Sequence, residues 1–160
     1  MAYQKLQVSG AIAVIPSDTV DIPNPSAVAL VSTTDGSALD KLIDSTVDFT
    51  TNGVKVGDII YSGVIAATVT AIDSATQLSI APTATIAAAA AYTIYSQADN
   101  PSGGCVLYCG ATGNINVLTA AGQTVTFTAV PTGAFMPVQV KRVNAASPAA
   151  TTATDIIALF

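Results

Sequence analysis

The sequence has no histidine, no tryptophan and no glutamate, and only 9% of its residues are charged. A typical soluble domain is about a quarter charged. Without histidine there can be no Ser-His-Asp triad, no imidazole metal ligand and no histidine pH switch. All ten acids are aspartates, against five Lys and Arg, for a net charge of −5. From Ile59 to Val140 the only charged residues are Asp73 and Asp99. No basic patch exists to neutralise a run of phosphates, so no direct nucleic-acid partner is expected. No segment reaches the length of a transmembrane helix. Val8–Ile15 is interrupted by Ser9 and Gly10 and closed by Pro16, too short for a signal-peptide core. No membrane partner is expected. Aromatic residues are only 6%, few for a sugar-stacking platform.

Two cysteines, Cys105 and Cys109, are separated by three residues. On a strand they share a face roughly 13 Å apart, too far for a disulfide. Two thiols also make an incomplete zinc site, so they read as small buried hydrophobes in a reducing compartment. Asp35-Gly36-Ser37 lacks the order and the paired carboxylate of an aspartic-protease loop and reads as a solvated turn. Asp40, Asp44 and Asp48 recur every four residues without a calcium loop's sharp glycine turn and read as an exposed acidic stripe. Gly110-Ala111-Thr112-Gly113 has no phosphate-loop lysine and reads as a hairpin turn. No cofactor, metal or small-molecule substrate is expected, and the chain is not expected to be an enzyme.

What is present is strand chemistry. The chain has 160 residues, enough for one domain or two small ones. Thr and Val alternate with other residues at period two, as in Thr68–Ile72, Thr124–Thr128 and Val138–Val140. Glycine and aspartate punctuate these runs every eight to twelve residues or so. The pattern predicts an all-β fold: an antiparallel β-sandwich or barrel-like domain with an extended N-terminal arm and a second small β module. The boundaries are an arm over 1–26, a main domain over 27–46 and 96–160, and an inserted module over 47–95. In the arm, Pro16, Pro23 and Pro25 are expected to keep the chain extended and unpaired. Within the module, Thr68–Ile72 and Gln77–Ile80 form a hairpin and Tyr92–Tyr95 closes the unit. The expected meander of the main domain runs through Cys105–Cys109, Ile115–Leu118, Thr124–Thr128, Phe135–Val143 and Thr154–Phe160. Helical turns are expected at Ala38–Ser45 and within the alanine run 87–91, which is too short for a helix.

The stretches Cys105–Val117, Ala121–Phe127, Pro131–Val140 and Thr151–Phe160 together resemble a recurrent β-domain of tailed-phage virion proteins, found in spike-base and head-decoration proteins. Gly53–Asp58 and Ala71–Leu78 are similar to a small β module inserted in marine phage structural proteins. The two cover roughly two-thirds of the chain, through strand-and-turn patterns and not catalytic signatures. The resemblance implies a virion structural protein without enzymatic residues. It would be made in the host cytoplasm and placed on the capsid exterior as a decoration (cement) protein, or else in a spike base, neck or tail. The implied partners are the major capsid protein and copies of itself, most simply as a homotrimer. A host-surface or carbohydrate-binding module is the reading from another class.

The long uncharged tract points the same way, because a solvated monomer usually spreads more charge over its surface. The interface candidates are Val8, Ile12, Val14 and Ile15 on the arm, expected to add a strand to a neighbouring sheet. Tyr92 and Tyr95 are three residues apart, so a regular strand puts them on opposite faces and one of them is a contact candidate. Lys141 and Arg142, the only basic pair, also point to opposite sides, with a solvated strand edge as their expected setting.

Overall fold

The computed structural model describes residues 8–160 and is all-β, with thirteen strands in two antiparallel sheets and no helix among them. The chain divides into two compact units, one formed by 1–16 with 103–160 and the other by 17–102. The strands of 27–46 therefore belong with those of 47–95, because they hydrogen-bond into the same sheet. The 1–26 segment is likewise split between the units.

In the 17–102 unit the strands are β2 (Val28–Thr33), β3 (Gly36–Ala38), β4 (Lys41–Ile43), β5 (Ile59–Ser62), β6 (Ile65–Ser74), β7 (Gln77–Ala81) and β8 (Ala91–Tyr95). Their order is β2-β8-β5-β6-β7-β4-β3. This order forces a curved sheet. Strands lie about 4.8 Å apart, so a flat arrangement would hold β2 and β3 nearly 30 Å apart. Yet only Thr34 and Asp35 separate them in sequence, a link of about 10 Å at most. The sheet must roll until its ends meet, giving a barrel. Its interior holds Leu42, Phe49, Ile60, Ala67, Val69, Leu78, Ile86, Tyr92 and Ile94.

The helical turn expected over Ala38–Ser45 is instead the β3–β4 hairpin. Leu42 is opposite Leu78 of β7, and barrel packing overrides the local helical spacing. Asp40 sits at its turn with φ 58°, and its carboxylate accepts the Ala84 N–H at 3.0 Å. In the alanine run the backbone turns at Ala89, φ 61°, before β8 begins.

The other unit holds β1 (Ala11–Ala13), β9 (Cys105–Ala111), β10 (Gly113–Thr119), β11 (Thr124–Val130), β12 (Phe135–Val143) and β13 (Thr154–Leu159), in the order β1-β13-β9-β12-β10-β11. It is not a meander, since β12 lies between β9 and β10. Gly110–Gly113 is consequently no hairpin turn but a corner between two strands that do not pair. Both glycines are there for close approach. A Cβ on Gly113 would lie 2.3 Å from the Ala153 nitrogen, and one on Gly110 would lie 2.5 Å from the Asp155 carbonyl oxygen. Inward-facing Cys105, Leu107, Cys109, Ile115, Val117, Val140 and Ala158 are buried. Both cysteines are free thiols, on the same face of β9, and burial pushes the Cys105 thiol up to about 12.

Candidate interaction surface

The arm residues are used within their own unit. Ala11, Ile12 and Ala13 pair with Leu159, Ala158 and Ile157 of β13. Ser9 donates its N–H to the Phe160 carbonyl at 2.6 Å, and Val14 donates to Ile156 at 2.9 Å. The strand expected within Val8–Ile15 forms over Ala11–Ala13, but on the edge of β13 of the same chain and not on a neighbouring sheet, while the proline-bearing stretch 16–26 carries no strand. Ile12 lies opposite buried Ala158, and by alternation Val14 shares that inward side. Both are half-buried, as is Ile15, while Val8 is exposed.

Tyr92 and Tyr95 do take opposite faces. Tyr92 is 2% exposed and belongs to the barrel interior. Tyr95 is half-buried on the outside, edge-on to Tyr61 with ring centroids 5.7 Å apart. Lys141 and Arg142 are half-buried on β12, an internal strand, with Arg142 opposite Leu118. They are not on a sheet edge, because β12 threads between β9 and β10.

A further apolar surface is built around Tyr108 on the outer side of the 103–160 sheet. The register aligns Ala13, Ile157, Tyr108 and Phe135 across β1, β13, β9 and β12, with each residue directly opposite the next. A second row is Ala11, Leu159 and Val106. These side chains occupy the face opposite the buried one. Phe135 is 65% exposed, and its ring lies 5.3 Å from that of Tyr108. The alternation of β9 and β13 was legible, but only tertiary pairing shows that their outer apolar residues join in rows.

The acidic stripe expected from Asp40, Asp44 and Asp48 does not form, because Asp44 is fully buried. Its carboxylate accepts bonds from the Ser32 hydroxyl at 2.7 Å, the Tyr92 hydroxyl at 2.8 Å and the Thr46 N–H at 2.9 Å. It follows β4, whereas Ser32 is on β2 and Tyr92 on β8, so it fastens the two ends of the rolled sheet. Burial works to raise its pKa, but the bonds from Thr46, Ser32 and Tyr92 outweigh it and hold the carboxyl below its usual range. Burial first, then the Asp44 bond, raises the pKa of the Tyr92 hydroxyl. These groups are mutually satisfied, as a structural brace requires. Asp35 stays exposed in its turn, bonded by Ser45. Among the described residues, no three Cys or Asp side chains are grouped to hold a metal ion.

No family model, curated protein or solved structure matches this chain.

Proposed function

We propose that the protein is a phage capsid decoration (cement) protein, binding the outer face of the capsid lattice as a homo-oligomer and stabilising the head against genome pressure. The observation that carries this reading is the pair of apolar rows across β1, β13, β9 and β12, centred on Tyr108 and Phe135. A face of this composition suits contact with another protein. The resemblance of the β9–β13 stretches to virion β-domains supplies the partner. The action is mechanical: area buried on the lattice, repeated over many copies, opposes expansion.

Immunogold electron microscopy on particles of a phage encoding this chain tests the reading. Dense label over the whole head is expected. Label confined to a vertex or tail would replace the cement role with a spike-base, neck or tail role, and unlabelled particles would overturn the virion reading. Phe135→Asp locates the contact. It should weaken capsid binding about tenfold or more while leaving the circular dichroism spectrum unchanged.

A further inference from the structure

Strand β11 forms the outer edge of its sheet, beyond β10, and is bulged only beyond Phe127, opposite Asn114. Thr124–Val130 contains no charge and no proline, and every residue from Thr124 to Ala129 is exposed except half-buried Phe127. Natural edges carry lysine, proline or a cover to prevent pairing with another chain.

The hydrogen-bond phase of this edge is fixed. Thr119 donates its N–H to the Gln123 carbonyl at 2.8 Å, and Ala129 donates its N–H to Asn114 Oδ1 at 2.9 Å. Residues 123, 125, 127 and 129 therefore turn their backbone groups toward β10. By alternation, Thr124, Thr126 and Thr128 direct theirs outward. At Ala129 the backbone enters the left-handed region, φ 50°, which ends the regular stretch at Thr128.

The five residues Thr124-Val125-Thr126-Phe127-Thr128 complement themselves when read antiparallel. With Thr126 on a two-fold axis, Thr126 meets Thr126 and Thr124 meets Thr128, all through outward backbone groups, for about six hydrogen bonds. Val125 then meets Phe127 twice, in the closely spaced non-hydrogen-bonded positions, as an aromatic and β-branched pair. Val125 and Phe127 stand opposite Val117 and Ile115, which are buried. The partner's Phe127 would therefore cover Val125, now 38% exposed, on the inward face.

We propose that two copies of this chain associate by antiparallel β11–β11 pairing about a two-fold axis at Thr126. The contact is isologous, so it makes a dimer rather than the trimer that the sequence reading takes as simplest. It stands independently of the virion reading.

Sedimentation of the full chain from about 1 to 300 μM tests it. The wild type should move toward twice its 16.0 kDa mass as concentration rises. Thr128→Pro removes an outward N–H that bonds nothing in its own sheet, so it should stay monomeric with an unchanged circular dichroism spectrum. Amide hydrogen exchange in the wild type provides a second measurement that needs no variant. Thr124, Thr126 and Thr128 should become protected as concentration rises, at least tenfold more than Val64 at an exposed loop. A wild type monomeric throughout, an oligomer that survives Thr128→Pro in a folded protein, or exchange at these threonines independent of concentration would each overturn the proposal.

Discussion

The two units solve the problem of sheet edges in opposite ways. In the 17–102 unit a two-residue link draws the first and last strands together, and Asp44 ties them from inside. In the other unit the sheet stays open, ending in β1 on one side and β11 on the other. Charge divides along the same line. The 17–102 unit carries nine Asp and two Lys, a net −7, while the rest carries Lys5, Lys141, Arg142 and Asp155, a net +2. Strong net charge keeps protein surfaces apart. Both proposed contacts, the apolar rows around Phe135 and the β11 edge, fall on the open, nearly neutral unit, and neither uses the acidic one.

The sharpest way to break this contrast is to damage each unit separately. Leu78 and Leu107 are both fully buried, one in each unit. Leu78→Ala and Leu107→Ala should each destabilise by about 3 kcal/mol. Hydrogen exchange should show the loss in the mutated unit only; equal loss in both would mean that they unfold together. Asp44→Ala should cost the 17–102 unit about 2–3 kcal/mol, because the Ser32 and Tyr92 hydroxyls and the Thr46 N–H lose their shared acceptor. A urea midpoint unchanged by Asp44→Ala would remove Asp44 as the brace.

Acid sharpens the contrast further. Hydrogen bonds hold Asp44 below its usual range against its burial. Bonds from Ser45 lower Asp35, bonds from Thr51 lower Asp48, and the Lys41 bond lowers Asp73. All four belong to the 17–102 unit. A carboxyl depressed in the folded state contributes stability that is complete above its unfolded value, near 3.8, and lost as pH falls through the folded value. That unit should therefore lose stability below about pH 4, mostly through buried Asp44, since the exposed carboxyls are screened. Exchange followed from pH 6 to pH 2 would reveal it, and equal protection at both ends of that range would contradict it. The smallest effect concerns the open edge. A dimer should melt about 2 °C higher for each tenfold rise in concentration, whereas a Tm independent of concentration would leave β11 unpaired in solution.

Much of the strand content was legible because period-two alternation is a local property. Cys105–Cys109, Thr124–Thr128 and Phe135–Val143 fall within observed strands, and the opposite faces of Tyr92 and Tyr95 follow from the same alternation. The short elements misled. Leu39, Leu42 and Ile43 have helical spacing, yet burial of Leu42 against Leu78 makes a hairpin of that segment. Asp44 looked like one acid of three on a surface, since nothing local shows that Ser32 and Tyr92 will converge on it. Pairing partners depend on residues distant in sequence, so β12 between β9 and β10, and β1 against β13, had no local signal.

Composition and local alternation suffice to make this chain all-β, to close histidine chemistry to it, and to set its cysteines too far apart along a strand to bond. Those follow from composition and from the two-residue repeat of an extended backbone. Where the chain divides, that Asp44 and Asp58 are the buried aspartates, and which apolar residues line up across strands to form a surface emerge only once the strands are paired. Each of those depends on register and on the order of strands in a sheet, and these are set by long-range hydrogen bonding and shared burial.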